Sequence, residues 1–175
     1  MATRKVVLYA AMSLDGYIAR RNGSYDWLPN ESDKDYGFAA FFRTVDALVM
    51  GRVTYDQVSE MSPFPYEGKE CYVFSRKRKG RDEHAIFVNK EPTEFVAELR
   101  KKKGLDIWLV GGSEIADAFF KAGLVDEYVL GIAPVILGDG IPMFRGRNPE
   151  VRLHLNDSQT YLPSGLASLR YTVRK

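Results

Sequence analysis

The chain is poor in the residues that build disulfides and metal sites: it has one cysteine, Cys71, and two histidines, His84 and His154. A lone thiol cannot close an internal disulfide, and without a close Cys/His grouping a structural zinc site has no ligands, so no metal is expected. Cys71 lies in the apolar run Cys71-Tyr72-Val73-Phe74 and reads as a core thiol. No continuous apolar stretch is long enough to cross a bilayer, and Arg4-Lys5 leads directly into the short run Val6 to Ala11 without a cleavage-like segment. A cytoplasmic protein with no membrane association is expected. Charge of one sign is not in large excess: the formal net charge is +2, and the local surplus is confined to Arg76-Lys77-Arg78-Lys79-Gly80-Arg81. Binding to a nucleic-acid backbone wants a distributed basic footprint, so a small-molecule partner is expected instead.

What is present describes a folded α/β protein. The 175 residues suit one domain over 1–175, and 45% hydrophobic with 27% charged residues is the balance of a globular core. Strand-like apolar runs fall at 5–11, 46–50, 70–75, 84–89, 106–110 and 125–132, with two more at 151–156 and 166–174. Helical spacing of apolar residues predicts helices over 33–44, 92–103 and 113–122. Gly104 and Gly123 stand where the second and third should stop, and Ser113 where the third should be capped. The segments 56–69 and 133–149 read as loops. Alternation of strand and helix to about residue 130 predicts right-handed crossovers and a mainly parallel sheet. The last two strands, separated by Pro163-Ser164-Gly165, read as antiparallel.

Three strand ends carry residues suited to phosphate. Val110-Gly111-Gly112-Ser113-Glu114 is a strand followed by paired glycines and a helix start, where free backbone N–H groups meet an anion, although a tight packing turn explains the same letters. At the junction Gly51-Arg52-Val53-Thr54, Arg52 offers a guanidinium fork and Thr54 a hydroxyl; a surface arginine beside an ordinary helix start is the alternative. Ser75 and Arg76 open the basic run, which is either a grip on a terminal phosphate or a solvated surface segment. If all three lie along one sheet edge, they share the usual ligand location of such folds. Elsewhere, small Ala10 and Ala11 would admit a flat ring, and the loop after Asp15-Gly16 would form a lid. Asp26 beside Trp27, and Asp33 or Asp35 in a first helical turn, offer carboxylates, with Ser32 and Asp35 also at capping-box spacing.

In order and separation these pieces resemble the dihydrofolate reductase superfamily and the reductase domain of bacterial riboflavin biosynthesis, especially its small stand-alone members. The resemblance rests on Ala11-Met12-Ser13-Leu14-Asp15-Gly16-Tyr17-Ile18-Ala19, Asp26-Trp27, Val49 to Tyr55, Val73 to Arg76, Val110 to Ser113 and Ala133 to Phe144. It implies an eight-stranded, mostly parallel sheet with an antiparallel C-terminal strand and flanking helices. It implies NADPH, with Ala11 and Ile18 bordering the nicotinamide, Gly51, Arg52, Val53 and Thr54 at one cofactor-binding helix entrance, Ser75 and Arg76 on the adenosine phosphate, and Gly111, Gly112, Ser113 and Glu114 around the pyrophosphate. Asp15, Trp27 and Asp139 would meet the substrate, and Asp26, Asp33 or Asp35 would orient it or assist proton delivery. The expected activity is NADPH-dependent reduction of a small heterocyclic or phosphoribosyl-linked compound, most like 5-amino-6-(5-phosphoribosylamino)uracil, by a homodimer. Dihydrofolate reduction and non-catalytic NADPH sensing are the alternatives.

Overall fold

Alternating buried positions along the strands generate two cores, one on each face of a single large sheet. The computed structural model describes residues 3–29 and 35–174. In chain order the elements are β1 (Val6–Ser13), β2 (Tyr17–Ala19), α1 (Phe38–Phe42), β3 (Val45–Gly51), α2 (Arg52–Ser59), β4 (Glu70–Phe74), β5 (Ala85–Val88) and α3 (Pro92–Lys101). There follow β6 (Asp106–Gly111), α4 (Ser113–Lys121), β7 (Glu127–Ala133), β8 (Ile141–Pro142), β9 (Leu153–Tyr161) and β10 (Leu166–Val173). Eight strands form one sheet in the order β5-β4-β3-β6-β1-β7-β10-β9, and β2 with β8 forms a separate ribbon. The pairings from β5 across to β7 are parallel, whereas β10 runs antiparallel to both β7 and β9. The expected dihydrofolate-reductase-like α/β sheet with an antiparallel C-terminal strand is therefore present.

One face of the sheet is covered by α3 and α4, whose Phe95, Val96, Leu99, Ile115 and Phe119 pack on Val6, Leu8, Val49, Ile107 and Leu109. On the opposite face, α1 and α2 contribute Phe41, Tyr55 and Val58, packed against Val7, Leu48, Met50, Cys71, Val73 and Trp108. Successive strand residues thus serve opposite cores, as the two-residue period of a doubly covered strand requires. Cys71 is buried, and desolvation pushes its thiol up to about 12, so it is an inert core residue. Trp108 anchors the second core: its ring meets Tyr9, Phe38, Phe41, Phe42 and Tyr66 edge-on, and its Nε1 donates to the Tyr9 carbonyl at 3.0 Å.

Several boundaries differ from those expected. The first helix is confined to Phe38–Phe42, because Tyr36 and Gly37 adopt positive φ just before it; the residues 33 and 34 of the expected helix lie outside the described residues. Helix α2 extends to Ser59, into a segment read as loop. Ser113 is not the cap of α4; Gly112 occupies that position, and the Ser113 hydroxyl donates to the Pro142 carbonyl at 2.7 Å. The far end of α4 follows expectation: Gly123 at φ +62 lets its own N–H reach the Phe120 carbonyl and that of Leu124 reach Phe119. The β2/β8 ribbon and the second half of β9 were not anticipated. The former is too short for a period, and residues 154–160 of β9 are exposed in succession, which removes any apolar alternation.

Gly104 does not end α3, which stops at Lys101. It is needed for another reason. Arg4 is buried at 6% exposure, where it pairs with Asp46 and donates to the Leu99 and Leu105 carbonyls. A Cβ on Gly104 would lie 2.5 Å from Asp46 Oδ2 and 2.8 Å from Arg4 Cζ. Gly104→Ala is therefore expected to cost about 1–3 kcal/mol, as overpacking of an ordered interior does. Urea unfolding at constant m-value measures it; an unchanged midpoint would show that the ion pair is not fixed there.

Candidate active site

The glycine-bearing strand ends lie along the C-terminal edge of the parallel strands. Strands β3 and β6 are neighbours, and each runs through a glycine into a helix: Gly51 is the N-cap of α2 and Gly112 the N-cap of α4. Neither helix has a side-chain hydrogen bond at its cap, so their first N–H groups face the edge without a built-in acceptor. The two starts touch. A Cβ on Gly112 would be 3.3 Å from Thr54 Oγ1, and one on Gly51 would be 3.8 Å from Ile115 Cγ2. Gly111 has φ +111, which only glycine adopts readily, and its peptide to Gly112 is cis. Two of the three expected strand ends are thus brought side by side.

The third lies next to them, since Gly51 is in register with Phe74 on β4. Ser75 is buried, and its hydroxyl accepts from the Lys77 and Arg78 amides at 3.3 and 2.9 Å, so it shapes the basic turn. Arg76 is exposed and has no ion-pair partner among the described residues. Arg52 and Arg78, by contrast, both bind the Asp56 carboxylate, at 2.7 and 2.8 Å. Asp56 is a residue that sequence reasoning passed over; the four-residue spacing from Arg52 was its visible signal. At α4, Glu114 is solvent-exposed and faces Arg145 at 3.6 Å.

Beside β6, β1 brings Ala10, Ala11 and Met12 to the same edge. Ala11 is half-buried against Gly131 of β7, where a Cβ would be only 3.7 Å from its own. Ile18, on β2, packs onto the first core. The loop after Asp15, expected to act as a lid, forms in this structure a wall fastened to its neighbours. Ser13 Oγ donates to Asp15 at 2.6 Å and accepts from the Tyr17 amide, and the Leu14 and Met143 amides bind the Val135 and Gly16 carbonyls. Asp15 also accepts from the Leu137 and Gly138 amides at 3.1 and 2.8 Å, locking the two loops together.

The carboxylates around this wall are all held ionised. Asp26 accepts a two-pronged contact from Arg20, at 2.7 and 3.1 Å, and another from Ser24 at 3.0 Å. The Arg20 guanidinium and the Ser24 hydroxyl hold its carboxyl down at about 2. Asp139 is lowered by Arg21, Asp15 by the Ser13 hydroxyl, and Asp35 by the Ala39 and Gly37 amides that it accepts at 3.0 Å. Asp35 therefore caps the approach to α1, while Asp33 lies outside the described residues. Trp27 is half-buried, with an indole N–H that is fully shielded and has no partner among the described residues. Two open concavities of about 410 and 580 Å³ share Glu83 and His84; the larger is lined by Tyr55, Asp56 and Arg78, the smaller by Phe64, Tyr66 and Lys69, and neither by the carboxylates of the wall.

The RibD C-terminal domain family model matches residues 4–166. The chain belongs to that family. It is 42% identical over 161 residues to YwjB of Bacillus subtilis (strain 168), covering 90% of this chain and 92% of that protein. A structure from Shewanella sp. PV-4 named for riboflavin biosynthesis superposes with a TM-score of 0.86 at 30% identity, over 98% of this chain and 99% of its own. The fold also matches, at TM-score 0.75 and 14% identity, a Thermotoga maritima diaminohydroxyphosphoribosylaminopyrimidine deaminase/5-amino-6-(5-phosphoribosylamino)uracil reductase, over 98% of this chain and 57% of that one. Membership in the RibD C-terminal family makes this a reductase-type domain of the riboflavin-pathway kind.

Because Asp26 carries a folded-state value near 2 against about 3.9 for a free aspartate, the Arg20 pair should stabilise the loop fully above pH 4 and lose that contribution as pH falls toward 2. An NMR titration of the Asp26 carboxyl should find its midpoint near the lower value; a midpoint at the free-aspartate value would mean the pair is absent in solution.

Proposed function

We propose that the protein is an NADPH-dependent reductase of a compact nitrogen heterocycle. The observation that carries this reading is the pair of uncapped helix starts, α2 and α4, in contact at Thr54 and Gly112 beside a strand edge lined by small residues. Amide donors and the positive ends of two helices suit a pyrophosphate. Arg76, exposed and without an ion-pair partner among the described residues, suits the extra phosphate that distinguishes NADPH from NADH. The donor set thus fits a phosphorylated dinucleotide, and the RibD reductase family is NADPH-dependent in general.

When bound, the cofactor supplies the hydride. The chain's own residues supply position and environment. The small side chain of half-buried Ala11 suits a flat ring against the end of β1, and the wall from Ser13 to Tyr17, clamped to 135–138, would screen that ring from water. Asp26, Asp15, Asp35 and Asp139 are ionised, so at neutral pH they accept hydrogen bonds from substrate N–H groups rather than donate protons. A proton needed after hydride transfer then comes from solvent at the open edge. A homodimer also fits the chain: β9 is a nine-residue edge strand whose residues 154–160 lie exposed on both faces, and a second copy would cover it.

Calorimetric titration should show NADPH binding more tightly than NADH, with the preference shrinking as salt rises. Arg76→Ala should weaken NADPH by about tenfold and leave NADH unchanged, the size expected for one charge-assisted contact. Equal affinities, or no binding by either dinucleotide, would reject the assignment. Reduction with deuterium-labelled NADPH should place the label in a pyrimidine-type product; cofactor oxidation without label transfer would reject direct hydride delivery. For the dimer, sedimentation velocity should report twice the chain mass, and Leu155→Asp on exposed β9 should halve it; a monomeric wild type would exclude this interface.

A further inference from the structure

The charges along the sheet edge are sorted by sign. Residues 76–81, at the end of β4, contain five cations and no acid. Among the described residues of 15–35 together with Asp139, four acids stand against two bases. The acids are Asp15, Asp26, Asp35 and Asp139, and the bases Arg20 and Arg21. The two arginines are already engaged. Arg20 gives its Nε and Nη2 to both oxygens of Asp26, which Ser24 also fixes, and Arg21 is held by Asp139, which in turn accepts from the Gly140 amide. On the other side of the wall, Arg145 faces Glu114.

We infer that the substrate of this reductase is phosphate-free: a neutral or protonatable nitrogen heterocycle. The inference rests on the dinucleotide reading above and narrows its substrate class. A phosphate dianion needs forked cations that are free to turn toward it. Among the described residues of the wall it would have to displace Asp26 from Arg20 or Asp139 from Arg21, and each displaced carboxylate would then repel it at close range. A heterocycle bearing N–H or amino groups meets the same carboxylates as acceptors and disturbs no pair. The two ends of the edge therefore select opposite partners, with anionic phosphates at 76–81 and an N–H-rich ring at the carboxylate wall. This separates the chain from proteins named for a phosphoribosylamino substrate, such as the Thermotoga maritima reductase.

A matched pair tests it: a ribosylamino-uracil nucleoside and its 5′-phosphate, each titrated into protein saturated with NADP⁺ so that no turnover intervenes. The nucleoside should bind at least about tenfold more tightly, with the gap closing as salt screens the wall. In the double variant Asp26→Asn/Asp139→Asn, which frees both arginines, the phosphorylated form should gain about tenfold relative to the nucleoside. Equal or tighter binding of the phosphate form by the wild type, binding of neither compound, or an unaltered gap in the double variant would overturn the inference. Failure of NADP⁺ itself to saturate the protein would instead remove the dinucleotide reading on which it rests, and is seen in the first titration.

Discussion

The contact on which the rest depends is the one between the starts of α2 and α4. Strands β3 and β6 lie side by side, yet the helices that follow them leave toward opposite faces of the sheet, as their membership of different cores records. Right-handed crossovers force this divergence wherever one connection moves outward and the next moves back across the sheet. From β3 the chain proceeds outward to β4, and from β6 it crosses β1 to reach β7. A crevice must open between them at the carboxyl ends of the strands. Glycines at both caps let the two backbones approach within van der Waals range of Thr54 and Ile115, so the crevice is lined by amides instead of side chains.

The two cores make that crevice rigid. Each strand is buried on both faces, and a slip of one residue would exchange the side chains of one core for those of the other. The aromatic cluster around Trp108 and the phenylalanine-rich face of α4 fill opposite sides of the same short strands. At the other end of the sheet, buried Arg4 ties β1, the start of β3 and the chain after α3 through Asp46 and two carbonyls. Such a buried cation is tolerated only because its partners are complete. Rigidity at that end fixes where the opposite end presents its helix starts.

Around the crevice the polar residues act mainly on one another. Asp15 joins two loops, Asp35 holds the entry to α1, Ser75 shapes the basic turn, and Asp56 gathers Arg52 and Arg78. These contacts set which charges remain available to a ligand. Arg76 remains available, whereas Arg20 and Arg21 do not. The difference is one of pairing: the cations are chemically alike, and only the folded loops bring carboxylates to two of them.

By itself the sequence determined the doubly covered parallel strands, the apolar stripe and glycine stop of α4, the antiparallel end, and the glycine-bearing strand ends at 51 and 111–112. All of these are local, because period, propensity and conformational freedom are written in neighbouring residues. The short β2/β8 ribbon left no such trace, and neither did the second half of exposed β9, where no apolar face is present to set a period. Gly104 looked like a helix stop and is a space left for Arg4 and Asp46, which come from distant parts of the chain. Ser113 looked like a cap and is spent on Pro142. Which carboxylate meets which guanidinium was likewise decided only by tertiary structure, since Arg21 and Asp139, or Arg78 and Asp56, are neighbours only once the loops have been brought together by the sheet.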